Sequence, residues 1–396
     1  MNHQRSILMM NSRRSLIKGA AVLAAAATLS MTAGFAHADT VKVGVLLSIS
    51  GPAAPFGIPE RDIIKILAAK YNAEGGINGH KIELIYHDDQ SNPTEAVRGA
   101  TQLIREDNVQ AILGASTGSS TLAMAPIAAR AGVPVFAPVA TQSVGLRTNS
   151  FFPWMFRTCP PSAVTIQAMM EKAVFKPNIK KVAILYQEDA YGKDEGDLAQ
   201  KMIKAHGGIQ IVAIASAPLS ATDLSAAATR IRTADPDIVL LLTSAPAMGG
   251  AFVRAAEQAN LKAPILGSLS VNQKPFVDAA GKSGNDVMSV SLGNWDEPSA
   301  KQKELGKLLR SAGKEPAGYA EIIGSTGIIA LAEALRHIDG EVTGKKIREE
   351  AEKICGYNGT YADGPLCYSK EQHEGFGPDT VNIVKLQDGK WHNVLK

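Results

Sequence analysis

Val41-Lys42-Val43-Gly44-Val45-Leu46-Leu47 is nearly continuous in apolar side chains and carries one charge, the pattern of a strand buried on both faces. A helical pattern follows from Pro59 to Tyr71, with Ile63, Ile64, Ile66 and Leu67 on one face. A buried strand followed by an amphipathic helix is the repeating unit of a parallel sheet, and the chain repeats it. Lys81 to Tyr86 reads as a strand, Thr94 to Glu106 as a helix, Val109 to Leu113 as a strand, Ser119 to Ala131 as a helix and Val135 to Ala137 as a strand. A second series begins near Ser162: a helix to Val174, strand Val182 to Tyr186, helix Asp194 to His206 and strand Gln210 to Ala215. It continues with helix Leu224 to Ala234, strand Ile238 to Leu242, helix Ala247 to Asn260 and strand Pro264 to Leu266. After Val287 to Leu292 come three helical patterns ending near Glu352, a Gly-rich loop and a last strand, Val381 to Leu386. Such alternation implies right-handed crossovers and sheets covered on both faces. The expected fold class is α/β, with two similar lobes, each a doubly wound parallel sheet.

The 396 residues are 45% apolar and 20% charged, enough for two or three globular domains. The first 38 carry Arg5, Arg13, Arg14 and Lys18 and no acid, which leaves 37 of the 41 basic side chains against all 38 acidic ones. So even a balance offers no basic field for phosphate backbones, and no nucleic-acid partner is expected. The same 38 residues read as an export signal. Ser12-Arg13-Arg14-Ser15-Leu16-Ile17-Lys18 leads into an apolar run from Gly19 to Phe35, and small residues close it at Ala36-His37-Ala38. The arginine pair has the look of a twin-arginine signal. Cleavage is expected after Ala38, leaving a mature chain of 358 residues in the periplasm. The alternative is an uncleaved anchor, for which a run of 17 residues is short. Of the three cysteines, Cys355 and Cys367 flank a turn-rich loop and are expected to bond to each other in an oxidising compartment, with Cys159 free. Two buried thiols are the alternative. No Cys or His has the spacing of a metal site, and neither metal nor cofactor is expected.

One motif invites a catalytic reading. Gly114-Ala115-Ser116-Thr117-Gly118 fits a nucleophile elbow between a strand and a helix. A serine hydrolase would use Ser116 with Asp296 and either His337 or His373. Two of the motif's five positions are free, however, and no His-Gly oxyanion sequence precedes it. Gly281-Lys282-Ser283 reads as a loop, since Phe276 stands where a phosphate loop has its first glycine. His80 and His87 flank a strand without a third ligand and are expected at the surface. More telling are two segments rich in hydroxyls and small side chains. Ser116, Thr117, Ser119, Ser120 and Thr121 follow one strand and open a helix, while Ala137-Pro138-Val139-Ala140-Thr141 follows the next. In a parallel sheet both lie at the carboxyl edge, where ligands bind. Helix-opening amides with hydroxyls can cradle a carboxylate, and simple N-capping by Ser or Thr explains the first segment equally well.

Leu47-Ser48-Ile49-Ser50-Gly51-Pro52, Asn72-Ala73-Glu74-Gly75-Gly76-Ile77-Asn78-Gly79 and Asp88-Asp89-Gln90 carry a family likeness, joined by Ala131-Gly132-Val133-Pro134, Phe156-Arg157-Thr158 and Asp189-Ala190-Tyr191-Gly192. On these segments the mature chain resembles the periplasmic solute-binding proteins of branched-chain amino-acid type ABC transporters. The resemblance implies a type I periplasmic binding protein, two lobes joined by a three-stranded hinge. Crossovers are expected near Cys159, Gly293 and Thr380. The N-terminal lobe would then comprise residues 39–159 and 293–379, and the C-terminal lobe residues 160–292 and 380–396. Such receptors perform no chemistry, so no enzyme is expected. The chain would be a monomer that closes over a small molecule and delivers it to an inner-membrane permease.

The resemblance also implies a site. Thr141 matches the family's carboxylate-binding threonine and Val139 its backbone amide, with Ala140 between them. Gly118 falls where the family has a serine, with Thr117 and Ser119 on either side. Tyr191 matches the aromatic residue that closes from the second lobe, Phe56 stands where the first lobe often has tyrosine, and Ser244 belongs to the same expected set. The acid that grips an α-ammonium in leucine binders falls at Leu269; Glu188 and Asp296 are the other acids considered for that role. The implied ligand is a carboxylate with an apolar body, an aromatic or aliphatic acid first, with a branched-chain amino acid or an amide as alternatives. The strongest pocket should lie between the lobes, with Thr141, Ser119 and Tyr191 facing it.

Overall fold

The computed structural model describes residues 40–395; the expected export signal lies outside them. The first lobe begins with β1 (Thr40–Leu47), α1 (Ala54–Ala73), β2 (Lys81–Asp88), α2 (Pro93–Arg105), β3 (Ala111–Gly114), α3 (Gly118–Ala131), β4 (Val135–Ala137) and β5 (Met155–Arg157). Its five strands are all parallel, in the order β2-β1-β3-β4-β5. Then come α4 (Ser162–Met169), β6 (Lys181–Gln187), α5 (Ala190–His206), β7 (Gln210–Ala217), α6 (Ser225–Thr233) and β8 (Ile238–Leu242). After these lie α7 (Pro246–Gln258), β9 (Ile265–Gly267), α8 (Lys274–Ala280) and β10 (Met288–Ser291). The chain returns through α9 (Ala300–Ser311), α10 (Ala320–Leu335), α11 (Gly344–Ala351) and a hairpin of β11 (Cys367–Ser369) and β12 (Gln372–Gly375). It ends with β13 (Asn382–Gln387) and β14 (Lys390–Leu395).

The second sheet has the order β7-β6-β8-β9-β10-β13-β14, parallel through β10 and antiparallel at its last two strands. Each sheet thus starts 2-1-3, so the strand order reverses beside its first strand, where a doubly wound sheet opens a ligand crevice. The loops after β1 and β3 meet there in the first lobe, and those after β6 and β8 in the second. The chain passes between sheets after β5, after β10 and before β13.

Local sequence accounts for where the site helices start. The Thr117 side chain accepts the Ser120 N–H at 3.2 Å and caps α3, and Gly132 ends that helix in the left-handed region. Asp189 caps α5 by accepting the Gly192 N–H at 2.9 Å, which starts this helix four residues before the expected Asp194. α1 likewise begins before the expected Pro59 and runs through that proline, forgoing one hydrogen bond near its N-terminus. Val381 to Leu386 is not the last strand. Asp388 and Gly389, both at positive φ, turn the chain into β14, a hairpin signal. His80 is also not at the surface: it is 4% exposed, with its ring Nε2 3.1 Å from the Ile338 carbonyl oxygen. Cys355 and Cys367 are bonded, and Cys159 is free and buried.

Beneath the loop after β4 lies a buried cation. Arg157, at the end of β5, donates from Nη1 to the carbonyls of Val139 (3.2 Å) and Thr141 (2.7 Å). Its Nε pairs with Glu374 Oε2 of β12 at 3.1 Å, and its own carbonyl accepts the Tyr368 hydroxyl of β11 at 2.7 Å. A methionine can fill the volume but strands the Val139 carbonyl and Glu374, and leaves the Thr141 carbonyl with the Val144 N–H alone. Arg157→Met should therefore lower the unfolding free energy in urea by about 3 kcal/mol. A loss below about 1 kcal/mol would show that water compensates those groups.

Candidate functional site

Between the two sheets lies a cavity lined by Phe56, Ser116, Thr117, Gly118, Pro138, Val139, Ala140, Thr141, Cys159, Tyr191, Ser244 and Tyr319. Both switch-point crevices contribute. α1 supplies Phe56, the β3–α3 turn supplies 116–118 and the loop after β4 supplies 138–141. The second lobe supplies Tyr191 at the start of α5 and Ser244 after β8. Phe56 and Tyr319 pack ring to ring, centroids 5.9 Å apart and tilted by 55°.

Eight of the ten ligand-binding residues expected from the sequence therefore come together here: Phe56, Thr117, Gly118, Val139, Ala140, Thr141, Tyr191 and Ser244. Two do not line the cavity. Ser119 lies beside it, where its Oγ accepts the Ala190 N–H across the cleft at 3.4 Å. Leu269, 1% exposed, starts a short turn and is packed into the apolar cluster that also holds Tyr191 and Tyr319. The threonines play different parts. Thr117 spends its acceptor on the helix cap, whereas the Thr141 hydroxyl is buried with no partner among the described residues. A glycine is needed opposite it, because a Cβ at position 118 would overlap Thr141 Oγ1.

The cavity is small, about 30 Å³, room for one or two waters. Contrary to expectation the larger hollows lie elsewhere: 270 Å³ beside Trp295 and Trp391, and 600 Å³ on the first lobe beside Arg61, Tyr86 and Lys314. The reason is closure. Besides Ser119 and Ala190, the Ser143 N–H and hydroxyl both donate to Asp194 Oδ2 of α5 at 2.8 Å.

Among the described residues no acid lines the cavity, but two fully buried ones lie behind its walls. Glu60 of α1 has Oε2 2.6 Å from Ser116 Oγ. Glu195, one turn after Tyr191, has the Thr165 hydroxyl at 3.4 Å and an unpartnered Oε2. Desolvation pushes both carboxyls up to about 8, and it pushes Glu321, near the start of α10, up to about 7. The acids considered at sequence level lie away from the cavity lining. Glu188 accepts the Ser216 hydroxyl at an exposed position, and Asp296 accepts the Trp391 N–H. Nor does either histidine considered for the hydrolase reading approach Ser116. His337 is exposed beside Glu333, and His373 is stacked between Phe152 and Phe156, where desolvation lowers its pKa to about 4. Sequence reading left Glu60, Glu195, Cys159 and Tyr319 out of the site. Only the i, i+4 spacing of Tyr191 and Glu195 hinted at one of them.

A family model described as "Periplasmic binding protein" matches residues 40–390. The chain is 25% identical over 323 residues to the Leu/Ile/Val/Thr-binding protein of Salmonella typhimurium, covering 82% of this chain and 87% of that one. It is 26% identical to the Leu/Ile/Val-binding protein of Escherichia coli, over 76% of this chain and 80% of that one. Among solved structures, an ABC-transporter solute-binding protein from Rhodopseudomonas palustris in complex with 4-hydroxybenzoate superposes with a TM-score of 0.77 at 25% identity, covering 90% of this chain and 96% of that one.

Two outcomes follow from this geometry. Glu60, Glu195 and Glu321 hold their protons more tightly folded than unfolded, so unfolding releases protons between about pH 4.5 and 8 and stability falls as pH rises through that window. His373 acts oppositely, costing stability as pH drops from 6.5 toward 4. Calorimetric melting temperature should thus decline from about pH 6 to about pH 8.5; a flat or rising trend would contradict the burial of the three acids. Asp194→Ala removes two hydrogen bonds to a charged acceptor, worth about 2 kcal/mol or more of closure. Small-angle scattering should then report a larger radius of gyration than for the parent chain, and an unchanged radius would deny Asp194 its part in closure.

Proposed function

Since the chain belongs to the periplasmic binding protein family, in its branched-chain amino-acid type, we propose that it is a receptor that captures a small carboxylate with an apolar body. It would bind that ligand between its lobes and hand it to an inner-membrane ABC permease, as a monomer and without chemical conversion. Export would release it into the periplasm with cleavage after Ala38, and the lobes would divide at the crossovers near Cys159, Gly293 and Thr380.

The observation that carries the ligand class is the Thr141 hydroxyl, without a partner among the described residues, in a cavity that none of their acids lines. It stands beside the opening of α3, whose amides favour an anion. Phe56, Tyr191 and Tyr319 supply aromatic contact for the apolar body. The complex of the Rhodopseudomonas palustris relative with 4-hydroxybenzoate fits an aromatic acid. An α-amino acid would bring an ammonium that needs a buried partner. Glu195, with an unpartnered Oε2 one turn from Tyr191, favours that second reading, as do the curated relatives' names. The hydrolase reading has little support, because Ser116 faces Glu60 and Ser48 rather than a histidine. A ligand the size of benzoate exceeds the present cavity, so entry requires the lobes to part.

Isothermal calorimetry separates these readings. Benzoate or 4-hydroxybenzoate should bind more tightly than leucine, and Thr141→Ala should weaken that binding by about tenfold or more, the effect of losing a hydrogen bond to a charged group. Micromolar leucine binding with no response to simple acids would overturn the carboxylate reading.

A further inference from the structure

Behind the cavity wall, the Glu60 carboxyl is a buried polar group that this reading leaves unused. It is wholly buried, and it meets the site through one hydroxyl. Ser116 Oγ lies 2.6 Å from Glu60 Oε2 and accepts the Ser48 N–H at 3.1 Å, and Ser116 itself lines the cavity. The other carboxyl oxygen, Oε1, has no partner among the described residues. The titratable groups facing Glu60 are Asp89 after β2, Glu321 and Tyr319 at the start of α10, and Cys159 at the first crossover. No cation is among them. An ionised carboxylate would sit there uncompensated, which burial strongly disfavours.

Ser116 has one hydrogen to give, and Glu60 decides where it goes. With Glu60 ionised, that hydrogen is held by Oε2, and the cavity meets only oxygen lone pairs with a negative charge behind them. With Glu60 protonated, Oε2–H and the Ser48 N–H both donate to Ser116 Oγ, and the serine hydrogen is left for the cavity. An anionic ligand oxygen requires the second arrangement. We propose that Glu60 is a positioning residue for the ligand carboxylate: by donating its proton to Ser116 Oγ, it makes Ser116 a hydrogen-bond donor into the cleft beside Thr141. The proposal rests on the carboxylate reading and adds to it the proton on which anion capture depends. Desolvation pushes the Glu60 carboxyl up to about 8, which keeps that proton in place at neutral pH.

Anion binding should then fail in alkali. Proton loss from Glu60 withdraws a donor and adds a charge of the ligand's own sign, whereas a ligand bearing an ammonium would gain from the same change. The test is calorimetric titration with benzoate from about pH 6.5 to about pH 9.5, on the parent chain, Glu60→Gln, Glu60→Ala and Glu195→Gln. The parent dissociation constant should hold steady near neutrality and then rise by up to about tenfold per pH unit. Glu60→Gln, whose amide donates at every pH, should remove most of that rise. Glu60→Ala should bind about tenfold more weakly near pH 6.5, and Glu195→Gln should keep the alkaline loss. Benzoate binding that is flat with pH, or an alkaline loss that persists in Glu60→Gln, would overturn the role of Glu60 and leave the carboxylate reading standing. If no simple carboxylate binds the parent chain at any pH, both fall together.

Discussion

A guanidinium buried to 2% exposure in the first lobe needs protein groups to answer its charge, and the groups that answer Arg157 hold the site in place. Its Nη1 takes the carbonyls of Val139 and Thr141, so the peptide that carries the unpartnered Thr141 hydroxyl is fixed from behind. Its Nε takes Glu374 of the β11–β12 hairpin. The hairpin in turn is tied down by Tyr368 on the Arg157 carbonyl and by the Cys355–Cys367 bond at the start of β11. A loop of small residues after a three-residue strand would otherwise have little to define it. With the Val139 and Thr141 carbonyls held by Arg157 and the Ala140 carbonyl accepting the Ser162 N–H, the Thr141 hydroxyl is left without a partner among the described residues.

The charges around the cavity follow a second pattern. Among the described residues no cation that could neutralise an anion directly lines the cavity, and the nearby acids are kept behind its walls. Placing Glu60 and Glu195 where desolvation holds them protonated turns potential repulsion into hydrogen-bonding capacity, since a neutral carboxyl can donate where a carboxylate only accepts. The cost is stability that declines as those protons are drawn off. Sites that keep strained or poorly solvated groups commonly show this trade.

The alternation of strands and helices was legible almost throughout, because hydrophobic runs such as Val41–Leu47 and Ile238–Leu242 are buried on both faces and carry that burial in their composition. What escaped was short or depended on tertiary context. β5 has three residues, and β14 is announced chiefly by the turn at Asp388-Gly389. His80 is polar but buried against a carbonyl that lies 258 residues away in sequence. For the site, the resemblance placed Thr141, Val139, Gly118 and Tyr191 on one cavity. Cys159 was missed because it lies at a crossover and Tyr319 because it precedes a helix that returns from the second crossover, places where no local periodicity marks a position. Leu269 was assigned by matching positions in sequence, whereas the backbone turns its side chain into the core. Glu60 and Glu195 fall within expected helices whose sequence does not single them out, and only the fold shows that they are buried.

The residues proposed to touch a ligand and the residues that join the lobes are neighbours on the same three short peptides. Gly118 is followed by Ser119, which receives the Ala190 amide; Thr141 precedes Ser143, which gives two hydrogen bonds to Asp194; Tyr191 lies between Ala190 and Asp194. Such an arrangement couples occupancy to closure without a separate relay. A ligand that orders the 118 and 141 peptides also fixes the donors and acceptors that draw α5 across the cleft, and it does so by the differential contacts that any shift between open and closed forms requires. On the proposed carboxylate reading, closure would also remove the water that competes for Thr141 and Ser116, strengthening the few hydrogen bonds on which an anion held without a cation would depend. Selectivity in this cleft is therefore bound up with how completely it shuts.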